Sequence, residues 1–447
     1  MAITATPQSI VLNVWFVAVC AVAAQTFPAT PSAVRVVTAM QTLSKGPQPD
    51  VPCPIGAIAI APGTSIPAAI VANPAGTKFC LQSGDYPTTS SITPKTDQTF
   101  DGEFATGEAE PTVVWTGGPF TGDLNQGCFR AHNQDIDGVA LRNFRVTGCP
   151  AKAIHAYPDH SERWTVDHMR LDHNRIALLL GEDSAATNNL IYANHGDDTS
   201  TNPNLRGGGW IFYRVNNVLF EGNEAWDNGP EQKFIQATNV TWRDNYVHAP
   251  GKYGYWCDGC LTLRSDGDRV EGMTDAGFFI ENSKDVEIKN GIARNNGNSG
   301  GVFVSISQGV RVHDMVLEDN FRALQYFIDC ARLTQNGGYA WPGGPYLTDL
   351  RDNDAYNNAI RVPAVQGAWG STLFLLSNCA ASAPGPGQPV QDLRPIYQSQ
   401  KNLHYTGNQY RVPSLTGKWW LWNPTTRFWS EWQALGHDTT GSVTAGQ

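Results

Sequence analysis

The sequence from residue 216 to residue 245 decides the fold, and it reads NNVLFEGNEAWDNGPEQKFIQATNVTWRDN. It carries one short pattern twice, at Val218 to Asn223 (VLFEGN) and at Val240 to Asn245 (VTWRDN). Each copy alternates apolar with polar residues and ends in Asn, Asp or Gly, which is typical of a short β-strand followed by a turn that tolerates left-handed backbone. Helical periodicity is largely absent from this region.

The same pattern recurs through the middle of the chain. Eight segments carry it, beginning at Val139, Trp164, Leu190, Val218, Val240, Leu261, Val286 and Val310. Their starts lie 25, 26, 28, 22, 21, 25 and 24 residues apart. A repeat of this length, in which no unit buries its apolar face alone, indicates a solenoid, whereas propeller blades need a period of about 40 or more. The leucine framework of leucine-rich repeats is missing. We therefore predict an all-β fold, a right-handed parallel β-helix.

Composition limits the classes of function. The chain has 447 residues, of which 41% are hydrophobic, so it can bury a sizeable core. It has 31 basic and 41 acidic residues and a net charge of −10, which lacks the basic surface that non-specific nucleic-acid binding needs. We therefore expect no nucleic-acid partner.

Both ends of the repeat region have the composition of caps. Residues Ser65 to Asn73 (SIPAAIVAN) predict a short amphipathic helix before the first strand, at Lys78 to Leu81, and this helix would cover one open end of the solenoid. Residues Lys418 to Gln433 (KWWLWNPTTRFWSEWQ) concentrate tryptophan and predict an aromatic plug at the other end. A sugar-binding platform is the alternative interpretation of this second segment.

The first residues indicate export. The apolar run from Ile10 to Ala24 ends in small residues and is shorter than a membrane span, although a membrane anchor is the alternative. We predict a signal peptide at 1–24, a linker at 25–50, a single β-helix domain with its caps at 51–435 and a flexible tail at 436–447. The protein is expected to be extracellular and monomeric, with no stable membrane insertion.

Eight cysteines remain after the signal peptide, and disulfides agree with export. Pairing of nearest neighbours gives 53–80, 128–149, 257–260 and 330–379. Eight cysteines allow about 105 connectivities, so this pairing is the simplest prediction rather than a deduction. A structural zinc site at Cys257-x-x-Cys260 is the alternative, but the sequence offers no second CxxC motif or HxxxH motif to complete it.

Three charged residues recur at the spacing of the repeat. Lys233, Asp258 and Glu281 are 25 and 23 residues apart, in the segments QKFIQ, YWCDG and FFIEN. Residues one coil apart stack at about 4.8 Å in a parallel β-helix. If all three side chains face one groove, a lysine and two carboxylates line it on three successive coils. This constellation is the candidate active site, although Lys233 is also compatible with a solvated surface position.

These motifs resemble a known family. The run Lys233-aromatic, RDNYVH, G-x-WCD and G-F-F-x-E is similar to secreted right-handed parallel β-helix repeat proteins of the pectate-lyase-like superfamily. The resemblance covers most of the chain and implies the fold. For activity it implies only a range that includes polysaccharide lyases, glycoside hydrolases and epimerases. Members often carry a glutamate five residues before the lysine, whereas Glu231 stands two residues before Lys233.

A second resemblance concerns Cys260 to Arg264 (CLTLR). Alginate-lyase and chondroitinase-B-type β-helix enzymes have a similar strand, whose arginine assists a lysine base one coil earlier. The resemblance implies that Arg264 is an assisting cation. Gln236 occupies the position of that lysine here, so Lys233 would act as the base from a shifted position.

The chemistry of these residues fits two reactions. β-Elimination of a uronic-acid polymer needs a neutralised carboxylate and a base, for which Lys233 is the candidate. Hydrolysis needs two carboxylates, and Asp258 and Glu281 one coil apart approximate the separation of about 5 Å in retaining enzymes. A Ca²⁺ ion is a possible cofactor, with candidate ligands Asp197, Asp198 and Glu231, or Asp258 in place of Glu231. An Asp at a β-helix turn is more often a turn residue than a ligand, and Asp197 and Asp198 are compatible with such positions.

Four more side chains are candidates for contacting a sugar, namely Trp256, Tyr253, Trp210 and His248. The aromatic residues are equally compatible with packing roles, and a histidine without a visible partner is more often structural. Together these observations predict a secreted enzyme that cleaves an acidic polysaccharide by β-elimination. The alternatives are a glycoside hydrolase that uses the two carboxylates and a non-catalytic glycan-binding β-helix of the cell surface.

Overall fold

A computed structural model describes residues 44–121, 127–131, 134–156, 161–196, 206–230, 232–248, 251–329, 349–375 and 401–446. Within these residues the chain forms 38 β-strands and two short α-helices. The helices are α1 (Ile66–Ala72) and α2 (Trp429–Ala434). The strands belong to three long sheets, which we name sheets A, B and C.

The strands follow one another in the order A, B, C along most of the chain. Sheet A contains β1 (Ile58–Ile60), β2 (Lys78–Gln82), β4 (Thr99–Glu103), β7 (Ala140–Arg142), β10 (Thr165–Asp167), β13 (Ala185–Thr187), β16 (Asn216–Glu221), β19 (Thr238–Arg243), β22 (Leu261–Asp266), β25 (Lys284–Lys289), β28 (Gln308–His313), β31 (Asn353–Tyr356) and β34 (Leu403–Thr406).

Sheet B contains β3 (Asp85–Thr88), β5 (Thr112–Trp115), β8 (Arg145–Thr147), β11 (Arg170–Asp172), β14 (Leu190–Tyr192), β17 (Glu224–Trp226), β20 (Tyr246–His248), β23 (Arg269–Glu271), β26 (Ile292–Arg294), β29 (Val316–Glu318), β32 (Ala359–Arg361), β35 (Gln409–Val412) and β38 (Ser442–Ala445).

Sheet C contains β6 (Gly127–Arg130), β9 (Lys152–His155), β12 (Ile176–Leu179), β15 (Gly208–Tyr213), β18 (Gln232–Ile235), β21 (Tyr253–Asp258), β24 (Ala276–Glu281), β27 (Gly300–Ser305), β30 (Arg322–Ile328), β33 (Trp369–Leu375), β36 (Trp420–Trp422) and β37 (Thr425–Arg427).

The connectivity is that of a parallel β-helix. Each strand pairs in parallel with the strand of the same sheet one coil earlier and one coil later, and only the terminal pair β36–β37 is antiparallel among the described strands. Crossovers between parallel strands are right-handed in nearly all proteins. The predicted fold class, a right-handed parallel β-helix, is therefore confirmed. Its core is a continuous interior of stacked apolar side chains enclosed by the three sheets.

The phase of the repeat differs from the prediction at one place. Seven of the eight predicted segments contain a sheet A strand, but Leu190 begins β14 of sheet B. The sheet A strand of that coil is β13 (Ala185–Thr187, AAT), which pairs with β10 and β16. Its residues are small or polar and do not show the alternation of apolar and polar residues, so the sequence pattern did not reveal this strand. A coil also contains three strands, of which the pattern revealed one.

The Asn, Asp and Gly residues after each sheet A strand build the corner between sheets A and B. The first corner residue has a positive φ, as at Gly222 (66°) and Asp244 (53°), where Gly and Asp tolerate the left-handed region. The second residue points inward and is completely or almost completely buried, as at Asn223 and Asn245. The turn chemistry that marked the sequence repeat therefore closes each coil.

The inward corner residues form a ladder of side-chain hydrogen bonds along the axis. The amide of Asn189 donates to Oδ1 of Asn223 (2.8 Å), Asn223 donates to Asn245 (3.0 Å), and Asn245 donates to Asp268 (2.8 Å). Backbone N–H groups of the same residues donate to the same oxygens. The ladder satisfies polar groups that the corner would otherwise bury without partners. It also locks each coil to the next.

Both predicted caps are present. Helix α1 has Ser65 as its N-cap, whose side chain accepts a hydrogen bond from the backbone N–H of Ala68, and its buried face consists of Ile66 and Ile70. At the other end Trp420 and Trp432 are 1% and 0% exposed, so they pack as a plug rather than as an open sugar platform.

The first and last elements of the β-helix were predicted wrongly. One strand, β1 (Ile58–Ile60), precedes α1 and pairs with β2, so Lys78 does not begin the first strand. Residues 44–50, predicted as linker, contact the coils: Gly46 donates a backbone hydrogen bond to Asn188 and Asp50 donates one to Phe104. Beyond residue 436, predicted as a flexible tail, β38 pairs with β35. Backbone hydrogen bonding, which the composition does not show, extends the domain at both ends.

Three of the four predicted disulfides lie in the described residues and are formed. They are Cys53–Cys80, Cys128–Cys149 and Cys257–Cys260, with Cα–Cα distances of 5.7, 5.8 and 5.7 Å. Pairing within Cys257-x-x-Cys260 removes the zinc alternative. Cys330 and Cys379 lie outside the described residues, as does the predicted signal peptide. No helix of the described residues has the length and apolar character that a membrane crossing requires.

The last member of the Asn ladder titrates near neutral pH. Asp268 is fully buried, and this burial raises its pKa from 3.8 to about 7, against the opposing hydrogen bonds from Ser265 and Asn245. Because the native pKa lies above the unfolded one, the stabilising effect of the protonated carboxyl is complete below about pH 4 and is lost as the pH rises through about 7.

We predict that Asp268→Asn stabilises the protein at about pH 8 by on the order of a few kcal/mol and has little effect below about pH 4. The side-chain amide of Asn245 donates to the backbone carbonyl of Phe220. Trp242 is the register partner of Phe220 one coil later, so its backbone carbonyl is the equivalent acceptor for the new amide at position 268. Urea unfolding followed by far-UV circular dichroism at both pH values measures the difference. Asp266→Asn, on the outer face of sheet A, is the control, and an equal pH effect in both variants would refute the assignment.

Candidate functional site

The outer face of sheet C carries the residues that the sequence singled out. Strand register places Lys233, Trp256, Phe279 and Phe303 in one column along the axis. The neighbouring column contains Ile235, Asp258, Glu281 and Ser305 in the same order of coils. Both columns point away from the core, because their inward neighbours Cys257 and Ile280 lie in the core cluster. Lys233, Asp258 and Glu281 therefore share one face on three successive coils.

Asp258 and Glu281 form a pair of carboxylates. They are direct register partners on β21 and β24, so their Cα atoms lie one coil apart, at about 4.8 Å. Their surroundings differ. Glu281 is only 4% exposed and accepts a hydrogen bond from Nε1 of Trp256 (3.2 Å). Asp258 is half-exposed and accepts one from the Asn282 amide (3.0 Å).

Lys233 lies beside the pair but in the other column. Its Nζ atom stands 3.6 Å from the centre of the Trp256 ring, in a cation–π contact. Such a contact stabilises the charged ammonium, because the negative face of the ring attracts it. Trp256 therefore bridges the site: its ring holds the Lys233 ammonium and its indole N–H holds the Glu281 carboxylate.

The rest of the aromatic column is packed rather than open. Tyr253, Phe279 and Phe303 are 9%, 7% and 9% exposed and form a small cluster on the outside of the β-helix. Neighbouring rings in this cluster lie 4.7 to 5.2 Å apart. Tyr253, predicted to contact substrate, is thus a packing residue in this structure, whereas Trp256 remains half-exposed at the edge of the cluster.

Three predicted site residues lie elsewhere. Trp210 is 0% exposed and points into the core against Phe220, at 4.8 Å between ring centres, so its prediction as a sugar-binding residue is wrong. In the strand GGWIFY, residues at successive positions are apolar, so the sequence could not show which side chains point into the core. Arg264 lies on β22 of sheet A and binds Asp285 (2.8 Å). The structure therefore does not bring Arg264 to the face of Lys233.

His248 also lies on a different face. It belongs to β20 of sheet B, and its Nε2 atom is 3.1 Å from the Glu224 carboxylate. This hydrogen bond is the largest influence on Glu224 and lowers the pKa of that carboxyl. The His248 ring also stacks on Trp226, at 5.5 Å between ring centres. His248 is therefore part of an ordered surface network that does not reach the carboxylate pair.

Three of the predicted calcium ligands belong to segments that the structure does not describe. Asp197, Asp198 and Glu231 lie outside the described residues, which leaves Asp258 as the one described candidate. Among the described residues, one group of three His, Cys, Asp or Glu side chains has its potential metal-ligand atoms within 4.8 Å of one another. This group is Cys53, Cys80 and Glu103, and its two cysteines are disulfide-bonded to each other. The described residues therefore do not test the predicted calcium site, which stays a prediction.

A second surface feature was not foreseen. The turns between sheets B and C form a groove along the axis, with two cavities of about 570 Å³ each. His195 lines both cavities, and its Nε2 atom is 3.4 Å from Asp227. One cavity also contains Arg175, which is 5% exposed. In the sequence, Asn174 and Arg175 follow a sheet B strand and resemble an ordinary turn, so the sequence did not indicate this groove.

A comparison with family models agrees with this architecture. A family model described as "Right handed beta helix region" matches residues 187–360. The A-module of the mannuronan C-5 epimerase AlgE6 from Azotobacter vinelandii is similar in structure, with 12% identity, 86% of this chain and 97% of that chain covered, and a TM-score of 0.48. The chain is a right-handed parallel β-helix protein.

Two further solved structures are similar. The adhesin PfbA of Streptococcus pneumoniae has 10% identity, covers 83% of this chain and 93% of its own, and has a TM-score of 0.44. The polygalacturonase of Erwinia carotovora has 10% identity, covers 92% of this chain and 100% of its own, and has a TM-score of 0.43. At this identity the likeness concerns the fold alone. No curated protein sequence matches the chain.

We predict that Trp256→Phe lowers the free energy of unfolding by about 1–3 kcal/mol, because the buried Glu281 carboxylate loses a hydrogen-bond donor while the ring beneath Lys233 is kept. Urea unfolding measures the change. Trp226→Phe is the matched control, since Trp226 stacks between Tyr192 and His248 on the outer face of sheet B. Equal losses in the two variants would contradict a specific contribution of the Trp256–Glu281 hydrogen bond.

Proposed function

We propose that this protein is a carbohydrate-active enzyme that hydrolyses a polysaccharide on the outer face of sheet C, with Asp258 and Glu281 as its two carboxylates. The register pairing of these residues, one coil apart on adjacent parallel strands, is the observation that carries the proposal. Glycoside hydrolysis uses two carboxyl groups beside the scissile bond, and retaining enzymes hold them about 5 Å apart.

The unlike surroundings of the two groups support different roles. Glu281 is buried beneath Trp256 and is the candidate general acid that protonates the leaving oxygen. Asp258 is half-exposed at the surface and is the candidate nucleophile at the anomeric carbon. Pairs of carboxyl groups in different environments commonly divide the acid and base work in this way. The outer face runs along the helix axis and suits an extended polymer.

The geometry supports hydrolysis better than β-elimination. The elimination scheme needs an assisting cation beside Lys233, whose Nζ atom instead lies over the Trp256 ring. Arg264, the assisting cation of the elimination scheme, lies on sheet A. In the hydrolytic scheme Lys233 instead provides a fixed positive charge beside the carboxylates. The same surface without catalysis would be a glycan-binding site, and activity measurements separate the two.

The three disulfides support a place outside the cytosol, because such bonds persist in oxidising compartments. Secretion, with cleavage of the segment at 1–24, completes the proposal. A secreted β-helix with an outward-facing site has direct access to polymers that cannot enter a cell.

We predict that Glu281→Gln and Asp258→Asn each lower kcat by about 10²- to 10⁴-fold, which is the usual contribution of a positioned acid or base. Both replacements keep size and hydrogen bonding, so far-UV circular dichroism and the unfolding midpoint should be retained. Asp354→Asn, on the outer face of sheet A, is the control and should keep full activity.

The assay measures reducing ends and absorbance at about 232 nm on neutral and uronic-acid polysaccharides, with and without Ca²⁺. We expect the wild-type protein to produce reducing ends without a rise in absorbance. Both variants should lose this production of reducing ends. A rise in absorbance that depends on Lys233 would replace hydrolysis with β-elimination. Binding without either product would replace the enzyme with a glycan-binding protein.

A further inference from the structure

Arg175 is a buried cation that has no charged partner among the described residues. It lies at the turn between β11 and β12, is 5% exposed, and its three guanidinium nitrogens form no hydrogen bond with any described residue. One contact is made by the Phe120 ring, whose centre lies 3.9 Å from the guanidinium carbon. Burial lowers the pKa of Arg175, and within the described part of the chain no carboxylate opposes this effect.

This situation is unusual for the protein. Several arginines on its outer faces are held by carboxylates, as Arg243 is by Glu221 and Arg294 is by Glu318. Arg322, which is only partly buried, donates to the Gln325 side chain (2.8 Å), although its Nε atom has no hydrogen-bond partner among the described residues. A buried guanidinium with unsatisfied N–H groups costs several kcal/mol by the usual magnitudes. Such a group is expected where a ligand supplies the missing acceptors.

The cavity beside Arg175 has the size and chemistry of a ligand site. Its volume is about 570 Å³, and it lies among the turns that follow β5, β8, β11 and β14. Trp115, Phe120 and Pro150 provide apolar walls, and His173 and His195 provide imidazole groups. None of the described residues that line it is acidic. Ligand pockets of about 300–1,000 Å³ commonly combine apolar walls with a few polar groups.

We infer that this cavity binds the carboxylate of an acidic sugar, with Arg175 as its principal ligand and Trp115 as a surface for the sugar ring. A planar guanidinium presents paired N–H donors that match the two oxygens of a carboxylate. Aromatic rings stack well on the apolar faces of pyranose rings. The inference concerns binding and stands without the hydrolytic proposal.

The position of the cavity relates it to the carboxylate pair. Arg175 precedes β12, and Asp258 ends β21 three coils later, which is about 14 Å along the axis. Register places Asp258 six residues beyond Arg175 in the direction of the sheet C strands, so an acidic chain that reaches both must also cross the sheet by about 20 Å. Carboxylate binding in the cavity would favour acidic polymers over neutral ones. This selection would take place at a distance from the bond that is cleaved.

Isothermal titration calorimetry tests the inference with a uronic-acid oligosaccharide and the same oligosaccharide after reduction of its carboxyl groups. The acidic form should bind at least tenfold more tightly, which corresponds to about 1.4 kcal/mol. Arg175→Ala should remove this preference, and Arg175→Lys should retain only part of it, because an ammonium lacks the paired donors. Arg243→Ala, on the outer face of sheet A, is the matched control and should bind as the wild type does.

Two further measurements keep the result interpretable. Arg175→Ala removes an unpartnered charge, so its melting temperature without ligand should equal or exceed that of the wild type, and both Arg175 variants are checked by circular dichroism. Glu281→Gln should retain the preference for the acidic form even when turnover is lost, so failure of hydrolysis does not affect this test. Equal binding of acidic and reduced oligosaccharides, an unchanged preference in Arg175→Ala, or binding of inorganic phosphate in place of the oligosaccharide would overturn the inference.

Discussion

Backbone hydrogen bonds between strands of successive coils hold each residue of this β-helix at a spacing of about 4.8 Å from its counterparts above and below. The Asn ladder reinforces this spacing from inside the corner between sheets A and B, where Asn189, Asn223, Asn245 and Asp268 bond in sequence. Register is thereby fixed on all three faces at once. A side chain on the surface is consequently positioned by hydrogen bonds that lie far from it.

The candidate site follows from that constraint. Asp258 and Glu281 meet because β21 and β24 pair in register, and Trp256 lies between Lys233 and Glu281 for the same reason. Alternation along each strand directs these residues outward, while their neighbours fill the core. The site therefore needs no mobile loop to assemble its described members, and its geometry persists as long as the coils stay in register.

Much of the fold was predictable because it depends on local chemistry that repeats. The alternation of apolar residues and the Asn, Asp and Gly corners revealed the solenoid, and Ser65 with its apolar helix revealed the cap. The pattern failed at β13, where Ala185 and Ala186 are too small to mark a strand, and at β38 (Ser442–Ala445), whose short and mostly exposed sequence shows no apolar alternation.

The sites were harder to predict than the fold. Spacing placed Lys233, Asp258 and Glu281 on one face, but it could not separate the two columns within that face. Trp210 lies in an apolar run without alternation, so its direction was hidden. Arg175 became notable only when its surroundings were known, because the absence of a partner is a property of three-dimensional structure.

The central claim, that substrate lies across Asp258 and Glu281 on sheet C, is tested most directly by a crystal structure of the Glu281→Gln variant with an acidic oligosaccharide. The account predicts an oligosaccharide on the outer face of sheet C, with a glycosidic oxygen between residues 258 and 281. An oligosaccharide bound only on the outer face of sheet A or sheet B, away from both residues, would contradict it.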